Sequence, residues 1–306
     1  MNSRRKFIRN SFFAGAGVLT SGYWSNEILA ANDVLKLTIL HTNDTHSRID
    51  PLPLNFPNYG GMGGFAKRAE LVNQIRAIEK NVLLLDAGDI FQGTPYFNLF
   101  GGELELKLMS KLGYDAATMG NHDFDNGVEG FHKVLPNASF PFICSNYNFE
   151  NTLLNNSTKP YIVLSKNNIK IGIYGLGIEL QGLVLPSLYA ETKYNDALTK
   201  ALEIEKRLKS DEKCDLIICL SHLGFEYDSK KMSDRILAKE TYFTDIIIGG
   251  HTHSFIEEKV EEKNKQNQAV LISQVGFAGI KLGRIDVYFE PIKKKMKMNR
   301  KSEFIN

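Results

Sequence analysis

Gly120-Asn121-His122-Asp123-Phe124-Asp125 is the stretch whose reading decides the fold. It closes the apolar segment Tyr114-Asp115-Ala116-Ala117-Thr118-Met119, which reads as a strand running into a polar loop. Five of its six residues are Gly, Asn, His or Asp, a density that no structural purpose demands. A short loop after a strand aims neighbouring side chains in different directions. Asn121 can then offer a carbonyl oxygen to a metal while His122 faces a substrate. The weight of the stretch rests on whether the chain supplies partners.

It does. Four more apolar segments end in the same manner. Residues 35–40 run into His41-Thr42-Asn43-Asp44-Thr45-His46, and residues 81–85 end at Asp86-Ala87-Gly88-Asp89. Residues 215–220 end at Ser221-His222, and residues 244–248 at Gly249-Gly250-His251-Thr252-His253. Between them, helical spacing of apolar residues covers 65–80, 103–112 (halted by Gly113), 128–135, 196–208 and 233–240. Residues 140–145 read as a further strand, and 161–164 with 169–174 as a hairpin turning at Lys166-Asn167-Asn168. The chain closes on β-rich segments at 269–273 and 279–289, then a basic tail from Lys293 that reads as a solvated end. Strands alternating with helices and finishing in hairpins imply an α/β sandwich with mixed sheets, not a purely parallel one. No repeat or low-complexity linker divides residues 32–306, which read as one domain.

Composition agrees. With 306 residues, 43% hydrophobic and 24% charged, the chain is long enough for one large core. No internal stretch approaches the roughly 20 apolar residues of a membrane span. Residues 1–31 carry four basic side chains and one acidic, so setting them aside takes the net charge from +2 to −1. Bulk charge therefore excludes nucleic acid as a partner. Those residues read as an export signal: Arg4-Arg5-Lys6-Phe7-Ile8-Arg9, a mildly apolar run over 11–23, and small residues at Ala30-Ala31. The Arg4-Arg5 pair followed by Phe7-Ile8 resembles the twin-arginine type, which exports proteins already folded and implies a periplasmic or cell-envelope destination. Cys144, Cys214 and Cys219 are odd in number and lack metal-type spacing, so no structural disulfide is expected.

The strand ends bring Asp44 with His46, Asp89, Asn121 with His122, His222, and His251 with His253 into one candidate constellation. Strand C-termini are where open α/β sheets place their sites. One such residue is usually a capping group or a satisfied core histidine; eight from five strand ends are not. Only His132 of the seven histidines lies outside these loops. Asp-x-His and His-x-His let both side chains of a short segment converge on one ion. Imidazole, carboxylate and amide oxygen suit Zn²⁺, Mn²⁺ or Fe²⁺ better than Ca²⁺. Seven ligands are too many for one such ion and fit two if Asp89 bridges them. Two ions set against Asp44 and Asp89 leave a positive surplus, which favours an anionic, phosphorylated substrate.

These residues, in this order, resemble the calcineurin-like metallophosphoesterases, and more closely their 5′-nucleotidase branch. The resemblance covers nearly all of residues 35–290. It is carried by Asp44-Thr45-His46, Gly88-Asp89-Ile90-Phe91-Gln92-Gly93, Gly113-Tyr114-Asp115-Ala116, the opening stretch, Ser221-His222-Leu223-Gly224 and Gly249-Gly250-His251-Thr252-His253. It implies a four-layer α/β/β/α sandwich with two mixed sheets and a dimetal site at the strand ends. One metal would take Asp44, His46, Asp89 and His253; the other Asp89, Asn121, His222 and His251. His122 would face the phosphoryl group, and Asp125 would orient and charge-stabilise it. The implied activity is hydrolysis of phosphate esters, most closely nucleotide monoesters, by in-line attack of metal-bound hydroxide. The same fold also accommodates phosphodiesters, nucleotide sugars and sulfur esters. Where that branch commonly carries Gln, this chain has His253, which keeps a ligand and changes its type. Nucleotidases of the branch recognise the base with a second, C-terminal domain. The sequence ends at Asn306 without room for one, so an alternative to a self-sufficient enzyme is a catalytic subunit served by a separate substrate-binding chain.

Overall fold

The computed structural model describes residues 34–290 and 295–306. The export-signal reading of residues 1–31 lies outside the described residues.

Strand β1 (Leu35–Thr42) opens the fold, followed by α1 (Phe65–Ile78), β2 (Val82–Asp86), α2 (Pro95–Phe100), α3 (Glu103–Leu112) and β3 (Ala116–Ala117). Next come α4 (Gly127–Val134), β4 (Tyr147–Asn148), β5 (Tyr161–Lys166), β6 (Ile169–Leu176), α5 (Pro186–Tyr189), β7 (Lys193–Tyr194) and α6 (Ala197–Ser210). The remainder is β8 (Leu216–Ser221), α7 (Asp234–Glu240), β9 (Ile246–Gly249), β10 (Val260–Lys263), β11 (Ala269–Ser273), β12 (Lys281–Glu290) and β13 (Lys295–Phe304).

Two mixed sheets result. One runs β13-β12-β1-β2-β3 and the other β10-β11-β9-β8-β6-β5, with β4 and β7 forming a small ribbon. The parallel pairs are β1–β2, β2–β3, β6–β8, β8–β9 and β9–β11; hairpins at β12–β13, β10–β11 and β5–β6 supply the antiparallel edges.

Side-chain parity explains the layering. Leu83, Leu85, Ile218, Leu220, Ile246 and Ile248 point between the sheets, where they join Leu37, Ile39, Ile285 and Val287 in one core. Their neighbours Val82 and Leu84 face helices α1 and α3 on one outer side. Ile217, Cys219 and Ile247 face α6 and α7 on the other. A strand covered on both faces must be apolar at both parities, which is why these segments carry no alternation. The order helix, sheet, sheet, helix is the four-layer sandwich expected.

Two segments differ from the sequence reading. Residues 140–145 form isolated bridges, Phe142 to Ala117 and Ile143 to Lys159, because two-residue β3 gives them too short an edge to build a ladder on. The basic tail is not a solvated end. Residues 295–304 pair with β12 over its whole length, and Ile305 is buried behind them. Asp196 and Ser233 cap α6 and α7 by accepting from Thr199 and Ile236 N–H groups. All three cysteines are free and buried, as expected. Among the described residues no helix is long and apolar enough to cross a membrane.

Candidate metal centre

Parallel strands end at the same edge, so the loops after β1, β2 and β3 in one sheet meet those after β8 and β9 in the other. Asp44 and His46 leave β1, Asp89 leaves β2, Asn121 and His122 leave β3, His222 leaves β8, and His251 and His253 leave β9. Every residue predicted for the site arrives there. Asp44, His46 and His253 form one group and Asp89, His222 and His251 a second, the ligand atoms within each lying within 4.8 Å of one another. His253 Nε2 is 2.9 Å from His46 Nε2 and 3.4 Å from Asp44 Oδ1. His222 Nε2 is 3.1 Å from Asp89 Oδ2. The same Asp89 oxygen is 4.0 Å from His46 Nε2, so Asp89 stands between the groups. Asn121 Oδ1 is 2.8 Å from His251 Nδ1, which adds it to the second group.

The backbone is bent to achieve this. Asp44 (φ 48°), His46 (48°), Asp89 (55°), His251 (72°) and His253 (53°) all adopt left-handed conformations. Non-glycine residues hold such conformations only where the surroundings impose them, at about 1–3 kcal/mol each. Close approach of the loops needs glycine at Gly120, where a Cβ would stand 2.2 Å from Asp89 Oδ1.

Electrostatics point to missing positive charge. Asp44 and Asp89 are almost fully buried, and among the described residues their ion-pair partners are histidines alone. Buried carboxylates without a strong cation are costly. Burial works against the charge on Asp89, yet His222, His46 and His122 hold its carboxyl well below the ordinary range. Burial also works against charging His222, but Asp89 and Asp44 push it up to about 10. Burial and then the neighbouring His222 bring His251 down to about 4. His222 Nδ1 bonds the Ala87 carbonyl at 2.7 Å, which turns Nε2 inward, and that buried atom has no hydrogen-bond partner. An orphaned imidazole nitrogen facing two buried carboxylates, in a set of N and O donors, fits a pair of divalent cations.

His122 stands apart. It belongs to neither group, its side chain is 41% exposed, and its ring lies 5.3 Å from that of His46. Its Nδ1 bonds Asp125 Oδ2 at 2.8 Å, across the single 3₁₀ turn His122–Phe124. That bond, partly opposed by burial, raises the His122 pKa.

Three residues escaped the sequence reading. Asn43 Nδ2 donates to Asp44 Oδ2 at 2.6 Å and to the Gly276 carbonyl at 2.7 Å, while its Oδ1 accepts from Val275 N–H. Gln274 braces the His251–His253 loop, accepting from Ser254 N–H and Thr252 Oγ1 and donating to the Gly250 carbonyl. Asp123, visible in the opening stretch but without a role, is fully buried between the loops after β2 and β3. Asn43 lies beside Asp44 in the sequence, and that adjacency is a usable signal; Gln274 carries none. Arg68, near the motifs in sequence, is buried with its guanidinium over Phe65 and does not line the site's surface.

The model of the calcineurin-like phosphoesterases matches residues 37–255. The chain belongs to that family. Members use two divalent metals, and the two side-chain groups are candidates to hold them. The chain is 36% identical over 234 residues to a snake venom 5′-nucleotidase of Naja atra, covering 72% of this chain and 42% of the relative. It is 32% identical over 286 residues to a trifunctional nucleotide phosphoesterase of Bacillus subtilis, covering 83% of this chain and 18% of that protein. The crystal structure of a 5′-nucleotidase precursor from Thermus thermophilus superposes with a TM-score of 0.79 at 28% identity, over 88% of this chain and 54% of that one. The chain thus spans less than half the length of these two relatives.

Proposed function

We propose that this protein is a dimetal phosphoric ester hydrolase acting on nucleotide-like phosphomonoesters. The observation that carries the reading is the His122–Asp125 pair beside two complete ligand groups, because a protein that only held metal would need no such pair. Asp44, His46 and His253 would hold one ion and Asn121, His222 and His251 the other, with Asp89 shared. The ions, when bound, supply Lewis acidity that lowers the pKa of water and offsets phosphoryl charge.

In the hydrolysis one P–O bond forms to a water oxygen and the ester P–O bond opposite breaks, its electron pair leaving with the ester oxygen. Asp125 fixes the proton on His122 Nδ1, so Nε2 is the atom that faces the substrate. His122 in its doubly protonated form then donates the Nε2 proton to the departing oxygen, and the proton of the attacking water passes to solvent. Its exposure keeps it reachable from solution, whereas the ligand histidine His222 is sealed in.

The test is phosphate release by the full chain, loaded with Mn²⁺ or Zn²⁺, from nucleoside monophosphates set against cyclic nucleotides, nucleotide sugars and sulfur esters. Release fastest from the monophosphates is expected; none from any ester sinks the reading. Export by Arg4-Arg5 is part of the same proposal. Arg4→Lys with Arg5→Lys should hold the protein in the cytoplasm on cell fractionation.

A further inference from the structure

The loop carrying Asp89 has neighbours on two sides, and it is tied to them by different means. Toward β1, backbone bonds continue past the strand ends: Asp44 N–H to Gly88 O at 2.9 Å, His46 N–H to Asp89 O at 3.0 Å, and Ser47 N–H to Ile90 O at 2.7 Å. Toward β3 the ladder is short. It pairs only Leu85 with Ala116 and Asp86 with Ala117, and its last backbone bond runs from Thr118 N–H to Asp86 O. Beyond that point side chains make the connection, and Asp123 makes most of it. Its Oδ2 accepts from Asp89 N–H at 3.0 Å and Gly120 N–H at 2.8 Å, one from each loop. Its Oδ1 accepts from Ile90 N–H at 2.9 Å and Phe91 N–H at 3.1 Å.

We propose that Asp123 is a positioning residue that sets the separation between Asp89 and Asn121, and so between the shared and unshared ligands of the second metal. The inference rests on the two-ion reading above. Four N–H donors meet two carboxyl oxygens, each accepting two, and an acidic side chain is the one that offers two such oxygens. An amide of the same shape offers one and turns its own N–H groups toward the remaining donors. All four of these hydrogen bonds come from backbone N–H groups, so the carboxyl group acts through the backbone of both loops.

The decisive variant is Asp123→Asn, measured in two ways. In metal-free protein, hydrogen exchange at the amides of Asp89, Ile90, Phe91 and Gly120 should accelerate together, while amides in the inter-sheet core keep their protection. On titration with Mn²⁺, the second equivalent should bind about ten- to a hundredfold more weakly, as for other losses of ligand support. The paramagnetic spectrum should then change from that of a coupled pair to that of an isolated ion. Unchanged exchange at the four amides, or a coupled pair formed at wild-type affinity, overturns the proposal. If the wild-type chain itself binds fewer than two equivalents, the two-ion reading has failed; the exchange experiment still decides the role of Asp123. Should Asp123→Asn not fold, Gly120→Ala forces the same two loops apart, since its Cβ would meet Asp89 N at 2.6 Å. A coupled pair retained in Gly120→Ala would equally overturn the claim.

Discussion

Strands β8 and β9 show two kinds of protein chemistry within a few residues. At Ile218, Leu220, Ile246 and Ile248 they are fully buried between the sheets and wholly apolar. At His222 and His251, just past the strand ends, the same chain carries one orphaned ring nitrogen, on His222, and left-handed backbone, at His251, beside buried carboxylates. The first region can be stable in any mixture of similar side chains, because apolar burial is non-directional. The second holds left-handed backbone and closely placed buried carboxylates, so its cost is borne by the first.

The comparison breaks most sharply at the ligands. Chelation, or Asp89→Ala, should abolish turnover by more than the ten- to hundredfold typical of supporting residues, while metal-free Asp89→Ala melts no earlier than the metal-free wild type. Turnover checked after dialysis against chelator and after restoring Mn²⁺ or Zn²⁺ tests this. His122→Ala comes next, with kcat lower by roughly 10²–10⁴ and two metal equivalents retained. Its milder counterpart Asp125→Asn removes the partner that raises the His122 pKa, so the alkaline limb of the rate profile should move to lower pH.

In the core the pattern inverts. Leu83→Ala should cost about 2–5 kcal/mol on denaturant unfolding and leave kcat unchanged. Asn43→Ala touches the boundary between the regions. It should lower metal affinity or kcat by roughly ten- to a hundredfold with little loss of stability, measured by metal titration beside melting.

An effect that is absent at neutral pH sharpens the comparison. His41 sits between the sheets with Nε2 on Ser273 Oγ, and burial followed by the Arg300 charge brings its pKa down to about 3. The unfolded chain takes up that proton near 6.5 and the folded one does not, so the contribution of His41 is complete above 6.5. It declines by up to about 1.4 kcal/mol per unit as pH falls toward 3. His41→Gln should flatten that part of the stability profile, and an unchanged slope would refute the assignment.

What could be read without coordinates was local. Apolar runs at both parities marked buried strands, and the Asp, Asn and His that end them marked the ligands, because composition within a few residues reveals both. Asp44, His46, Asp89, Asn121, His222, His251 and His253 were all placed from their motifs, as was the pairing of Asp125 with His122 one turn away. Residues 140–145 were misjudged because pairing depends on the length of the neighbouring edge. The tail was misjudged because its Lys and Arg concealed an edge strand.

By itself, then, the sequence determined the layers, the strand ends and the donor set. Only the tertiary structure decided the distances within and between the two groups, with Asp89 Oδ2 3.1 Å from His222 Nε2 and 4.0 Å from His46 Nε2. It also decided that Gln274 and Asp123 brace loops far from their own in the chain. The reason is that donor chemistry belongs to a residue type, whereas the distance between two donors belongs to strand order and loop approach.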